Sequence, residues 1–249
     1  MNKLRQDKIK QFIEDQKVVT IKQLQALFPD VSLMTIHRDL DALSATGSIV
    51  KFRGGARSVH HAGDPEFNVR MRENNPGKVS IAKKALGLIQ PHSSIFLDAS
   101  TTNLALARIL PEINLNIFTT GPSIALELCR LHNPVVTLCC GTINRKNLAV
   151  SGQNTLEMLE KINIDMAFIG VSGCSVDSGF TCGTEGDMLV KRLVIQKART
   201  SVVMCTQEKL RCLMPYTFAT MKDVDYLISD TPMPEPFHKA AKDHGTVLL

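Results

Sequence analysis

The chain has 249 residues, 44% hydrophobic and 21% charged, with a formal net charge of +5. That balance is the composition of a folded soluble protein, in one large domain or two smaller ones. No apolar run is long enough to span a bilayer and no signal peptide opens the chain, so a cytoplasmic protein with no membrane partner is expected.

The cysteines are Cys129, Cys139, Cys140, Cys174, Cys182, Cys205 and Cys212, an odd number with no C-x-x-C pair. Most lie in apolar runs such as VVTLCCG, which reads as reduced core thiols, with no disulfide framework and no metal site. His60 and His61 have no further ligand at metal spacing and read as an exposed loop. No cofactor is expected. Charge is unevenly placed: residues 1–60 carry 10 Lys and Arg against 6 Asp and Glu, and the remainder 19 against 18. A polyanionic partner for the first quarter of the chain follows.

Three helices are predicted in the first fifty residues. The first covers roughly Lys3 to Glu14. Thr20 is a candidate N-cap for the second, IKQLQALF, and Ser32 for the third, which ends near Gly47. SIVKFRGGARSV then alternates apolar and basic residues around Gly54-Gly55, a hairpin or wing. Helix, helix, tight turn, helix, wing is the winged helix-turn-helix arrangement. HHAGDPEFNVRMRENNPG is polar and broken by prolines, and reads as an interdomain linker. Beyond it a helix from Lys78 to Ile89 is followed by strands alternating with helices: SSIFLDAS, TTNLALARIL, LNIFTT, SIALELCRL, PVVTLCC, NTLEMLEKI, IDMAFIGVSG, DMLVKRLVIQKA, SVVMCT and VDYLISD. Several strands are apolar throughout, the pattern of a mostly parallel sheet covered on both faces.

The third helix carries the candidate DNA contacts. Its N-terminal residues are the ones a helix-turn-helix brings to bases and phosphates. Ser32 and Thr35 are short enough to let the backbone approach phosphate, Arg38 has a fork that fits guanine or phosphate, and His37 can donate to either. Lys51 and Arg53 add charge on the wing. Ile36, Leu40 and Leu43 hold the helix to its domain.

The stretch from Arg5 to Leu40, with Ile9, Ile13 and S-x-x-T-I-H-R-D-L over Ser32 to Leu40, resembles the DeoR family of bacterial transcriptional regulators. Arg53-Gly54-Gly55-Ala56 matches the family's wing, and His37 stands where Arg is common. The resemblance runs to the C-terminus. It implies a C-terminal α/β domain similar in fold to ribose-5-phosphate isomerase that senses a phosphorylated sugar. Asp98, Ser100, Thr101 and Thr102 then fall in a strand-to-helix turn, where hydroxyls and free backbone N–H groups cradle phosphate. Other strand ends expected at the same crevice supply Thr119, Gly141, Arg145, Gly170, Gly173, Asp187 and Lys209. Lys191 and Arg192 read as solvated charges.

The alternative is a sugar-phosphate isomerase-like enzyme fused to a DNA-binding domain. The isomerase resemblance implies a D-G-A-D-E turn, and here Ile169 and Ser172 replace its aspartates. Asp187 resembles the position of the base, one methylene shorter. With that base's helpers gone, binding is expected to persist and acid–base catalysis to be lost. The reading is therefore a repressor of a carbohydrate-utilisation operon. Residues 1–57 bind double-stranded operator DNA, 58–77 are a linker, and 78–249 bind the phosphorylated sugar and build a dimer or tetramer.

Overall fold

Local capping starts the amino-terminal elements. In a computed structural model, which describes residues 2–16, 18–46, 48–52, 54–58, 66–210 and 212–249, α1 (Asn2–Gln16) leads to β1 (Val18–Thr20), α2 (Ile21–Leu27) and α3 (Leu33–Ala45). Thr20 and Gln23 form a reciprocal capping box on α2, and the Ser32 hydroxyl accepts the Thr35 N–H at the start of α3. Ile9, Ile13, Leu24, Ile36, Leu40 and Leu43 then bury against one another. Asp39 is buried among them and accepts from Arg5 Nε at 2.5 Å and Gln6 Nε2 at 3.1 Å, which fixes α1 to α3. The wing is the antiparallel pair β2 (Ile49–Phe52) and β3 (Gly55–Ser58). β1 joins its other edge, a third strand that three residues between helices do not announce. Gly47, where the third helix was expected to end, lies outside the described residues, as do His60 and His61.

The polar stretch expected as linker is partly helical. α4 (Phe67–Arg72) and α5 (Asn75–Leu86) both begin inside it. Phe67 and Arg70 are buried, and the Phe67 N–H donates to the Lys146 carbonyl at 2.9 Å. Asn74, at φ +40°, caps α5 by accepting the Gly77 N–H and donates to Asp230. Two apolar anchors, Phe67 and Met71, four residues apart, are enough to seat a short helix that its polar neighbours conceal.

From there the chain runs β4 (Ser94–Leu97), α6 (Thr101–Ile109), β5 (Asn116–Thr119), α7 (Pro122–Leu128), β6 (Val135–Leu138), the hairpin β7 (Thr142–Asn144) and β8 (Ala149–Ser151), then α8 (Gln153–Glu160) and β9 (Met166–Gly170). It continues through β10 (Gly173–Ser175), β11 (Gly179–Cys182), α9 (Glu185–Lys197), β12 (Thr200–Cys205), β13 (Tyr216–Ala219), β14 (Tyr226–Ser229), α10 (Glu235–His244) and β15 (Val247–Leu248). Seven strands form one parallel sheet in the order β15-β14-β12-β9-β4-β5-β6. Alternate residues face opposite cores. Phe96, Ile169, Val203 and Leu227 pack with α8, α9 and α10, while Ile95, Leu97, Phe168, Val202 and Ile228 pack with α4 to α7. A fully buried Phe or Ile contributes about 1.5–3 kcal/mol, so a sheet apolar on both faces has to be covered on both. β10, β11 and β13 form a small antiparallel sheet beside it. All seven cysteines are free thiols; Cys139, Cys174, Cys182, Cys205 and Cys212 are buried, and Cys129 and Cys140 are exposed. Among the described residues no helix is long and apolar enough to cross a membrane.

Candidate functional site

After β4 the chain moves outward to β5 and β6, then returns to the other side of β4 with β9. The gap between the carboxyl ends of β4 and β9 is therefore the point where strand order reverses, the usual ligand position in an open parallel sheet. A small cleft opens there. Ala99 and Ser100 line it from the end of β4, Gly170, Val171 and Ser172 from the end of β9, Asp187 and Lys191 from α9, and Arg70 from α4. Asn147 and Ala149 close it from the β7–β8 hairpin. Gly170 is required: a Cβ there would collide with the Ser100 side chain.

One buried carboxylate organises this junction. Asp98 Oδ2 accepts from the Gly170 N–H at 2.9 Å and from Lys191 Nζ at 2.5 Å. Its Oδ1 accepts from the Ser100 N–H at 3.0 Å and from Asn103 Nδ2 at 2.7 Å. Lys191 Nζ also donates to the Gly170 carbonyl at 2.7 Å, lies 3.5 Å from Asp187, and sits over the Phe218 ring. Burial pushes the Asp98 pKa up, but the Lys191 charge and the hydrogen bonds from Lys191, Ser100 and Asn103 outweigh it and hold the pKa below 3.8. Burial likewise pulls Lys191 down, and Asp187 and Asp98 more than reverse it. Both groups stay charged at neutral pH, and the pair ties β4, β9, α6 and α9 together.

The expected site residues divide. Ser100, Gly170 and Asp187 line the cleft, and Asp98 lies directly beneath it with both oxygens occupied, so its work is positioning. Thr101 and Thr102 are buried in the first turn of α6 and do not line it. Thr119 is also buried; its hydroxyl donates to the Leu97 carbonyl and accepts the Gly121 N–H, fixing the turn after β5. Gly141, at φ +143°, packs against Thr155 and Ser151, and Gly173 packs against the Cys212 carbonyl. Arg145 is exposed beyond the cleft, although Lys146 and Asn147 beside it contact α4. Lys191, expected as a solvated charge, is buried in the ion pair. Its partner Asp98 is ninety-three positions away, a separation no local pattern reveals. Arg192 is exposed and donates to the Thr217 carbonyl. Arg70 went unnoticed because its helix was hidden in a polar stretch. Its Nη2 donates to the Asn147 carbonyl at 3.4 Å and its guanidinium lies 5.8 Å from the Phe67 ring centre.

Lys209 follows β12, one strand beyond β9, and does not line this cleft. Its ammonium is buried and has no hydrogen-bond partner among the described residues. Nearby Lys78 is also buried and donates to the Arg70 and Glu73 carbonyls. Burial first, and then the Lys209 charge, pull Lys78 down to about 8 against the opposing effect of Glu208 and Glu73.

On α3 the Ser32 and Thr35 hydroxyls bond each other at 2.9 Å. Arg38 is exposed and His37 half-buried, while Lys51 on the wing meets Asp41 at 2.5 Å. A surface pair of this kind is weak and leaves the ammonium accessible to a stronger anion. Arg53 lies outside the described residues.

Two family models match the chain. The DeoR-like helix-turn-helix domain matches residues 5–62, and the DeoR C terminal sensor domain matches residues 73–231. The HTH-type transcriptional regulator GolR of Listeria innocua is 30% identical over 97% of this chain and 95% of its own length. The HTH-type transcriptional repressor GlcR of Bacillus subtilis is 29% identical over 96% and 92%, and the L-fucose operon activator of Escherichia coli 28% over 80% and 84%. Among solved structures, ribose 5-phosphate isomerase A from Methanocaldococcus jannaschii aligns over 55% of each chain with a TM-score of 0.41 and 19% identity, too distant a likeness to carry any chemistry. The relatives that match over nearly their whole length are regulators and not enzymes, and this chain is likewise a regulator. Both halves of the sequence, and a capped α3 beside a three-stranded wing, lead to one conclusion: the chain belongs to the DeoR family of helix-turn-helix transcriptional regulators.

Proposed function

We propose that the chain represses a carbohydrate-utilisation operon and that a phosphorylated sugar bound at the β4–β9 cleft controls its hold on operator DNA. The observation that carries the reading is the cleft itself: a strand-order reversal lined by Arg70, Ser100 and Lys191, with the N-terminus of α6 beside it. Arg70 offers planar donors to phosphate oxygens, Ser100 a hydroxyl, and the helix end a positive potential. Asp187 and Asn147 suit sugar hydroxyls. Relatives named a repressor and an L-fucose operon activator support control of sugar genes, with the sign set by how the effector biases two states. One winged module reads a short half-site, so a dimer or tetramer on repeated half-sites completes the proposal.

A thermal-shift panel of pentose and hexose phosphates beside the matching free sugars tests it. At least one phosphorylated sugar should raise Tm while its free sugar does not, and Arg70→Met should remove the shift. Equal shifts from free and phosphorylated sugars, or a shift unaffected by Arg70→Met, refute the assignment. Gel shifts with the active sugar then give the sign of the response.

A further inference from the structure

We infer that Met34 is a base-reading residue of α3 that makes apolar contact with a thymine methyl in the operator. Met34 stands in the first turn of α3, which is the part of a recognition helix that enters the major groove. Its side chain is unusually bare for its type, with 71% exposure. The helix has already satisfied its core with Ile36, Leu40 and Leu43, and Met34 points away from that stripe. Four residues on, one helical turn along the same outward face, stands the exposed Arg38. The first turn carries no acidic residue, so nothing there repels phosphate. Ser32 and Thr35 flank Met34 with their hydroxyls turned to each other, an arrangement that caps the helix and leaves the methionine as the projecting group.

The thymine C5-methyl is the one apolar group that the major groove displays. A thioether on a flexible chain fits it without demanding one geometry. Arg38 and Met34 then read neighbouring positions by different chemistry, guanine or phosphate through the fork and thymine through its methyl. Leu33, 44% exposed, borders the same surface.

The test removes one methyl at a time. Full-length protein selects its tightest duplex from a random pool, and each dT of that duplex is replaced in turn by dU, which differs only by the methyl. At one or two positions dU should lower wild-type affinity about fourfold, the equivalent of one buried methyl. Met34→Ala should bind the dT duplex less tightly by at least that factor and should bind dT and dU alike at those positions. Met34→Leu should keep part of the preference, and affinity for scrambled duplex should stay unchanged in both variants. Because the side chain is exposed, circular dichroism should match wild type. The inference fails if no dT→dU exchange affects the wild type or if Met34→Ala keeps the wild-type dT/dU ratio. It also fails if the variant loses affinity equally on specific and scrambled DNA, which would make Met34 a contact to backbone or to a second copy of the chain.

Discussion

Lys191→Met is the sharpest probe of the junction beneath the cleft. Methionine keeps most of the apolar stem but removes the ammonium that faces Asp98 and sits over the Phe218 ring. The carboxylate keeps the Gly170 and Ser100 N–H groups and the Asn103 amide as donors, and remains buried. Removing one partner of a buried pair costs about 3–5 kcal/mol, and the remaining donors put the expected loss toward the lower end. The pH dependence should also reverse. In the wild type the folded Asp98 pKa lies below its ordinary 3.8, so its stabilisation is complete above that value and is lost as pH falls through the folded pKa. Without Lys191, burial lifts the folded pKa above 3.8, so stability should fall as pH rises from about 4 through the new pKa. Urea unfolding at pH 5 and pH 7 reads both effects, with Asp98→Asn combined with Lys191→Met as the fourth corner of a cycle. The double variant should recover part of the loss, since the uncompensated charge is gone. A single-variant loss under about 1 kcal/mol, or no difference between the two pH values relative to wild type, refutes the argument that this pair is a buried staple.

Arg38→Ala should weaken operator binding by about 1–3 kcal/mol if the fork reads a base; gel shifts at fixed salt on specific and scrambled duplexes separate a base contact from a phosphate clamp, which loses equally on both. Cleavage within residues 59–65 should leave a C-terminal piece from Glu66 that folds and binds the effector. A piece beginning at Asn75 should lose effector binding and some stability, because Phe67 and Arg70 leave with α4; circular dichroism and calorimetry on both pieces decide, and equal behaviour would show α4 to be dispensable. Because its folded pKa of about 8 lies below its ordinary 10.5, Lys78 opposes folding while charged, so stability should rise between those pH values. Urea unfolding followed between about pH 8 and pH 10 checks that rise, and a flat or falling stability would refute it.

The sequence by itself determined whatever depends on spacing along the chain. The Thr20 and Ser32 caps, the apolar stripe Ile36, Leu40 and Leu43, and the S-x-x-T-I-H-R-D-L run announced the DNA-binding unit, because capping and helical periodicity are local physics. The alternation of apolar strands and helices likewise announced a parallel sheet. It also placed Ser100, Gly170 and Asp187 at strand ends or just after them, where the cleft was found. The tertiary structure decided which strand ends meet. Sequence order placed Thr119, Gly141 and Lys209 on the same footing as Gly170, but the reversal of strand order puts β9 beside β4, leaves β5 and β6 beyond β4, and leaves Lys209 after β12, beyond β9. It likewise turned Lys191 inward to a partner ninety-three residues away and folded Arg70 onto the cleft from a stretch that looked like linker. A buried ion pair and a concave site are properties of distance in space, and a chain that reverses its direction across a sheet carries no local mark of which distant residues it brings together.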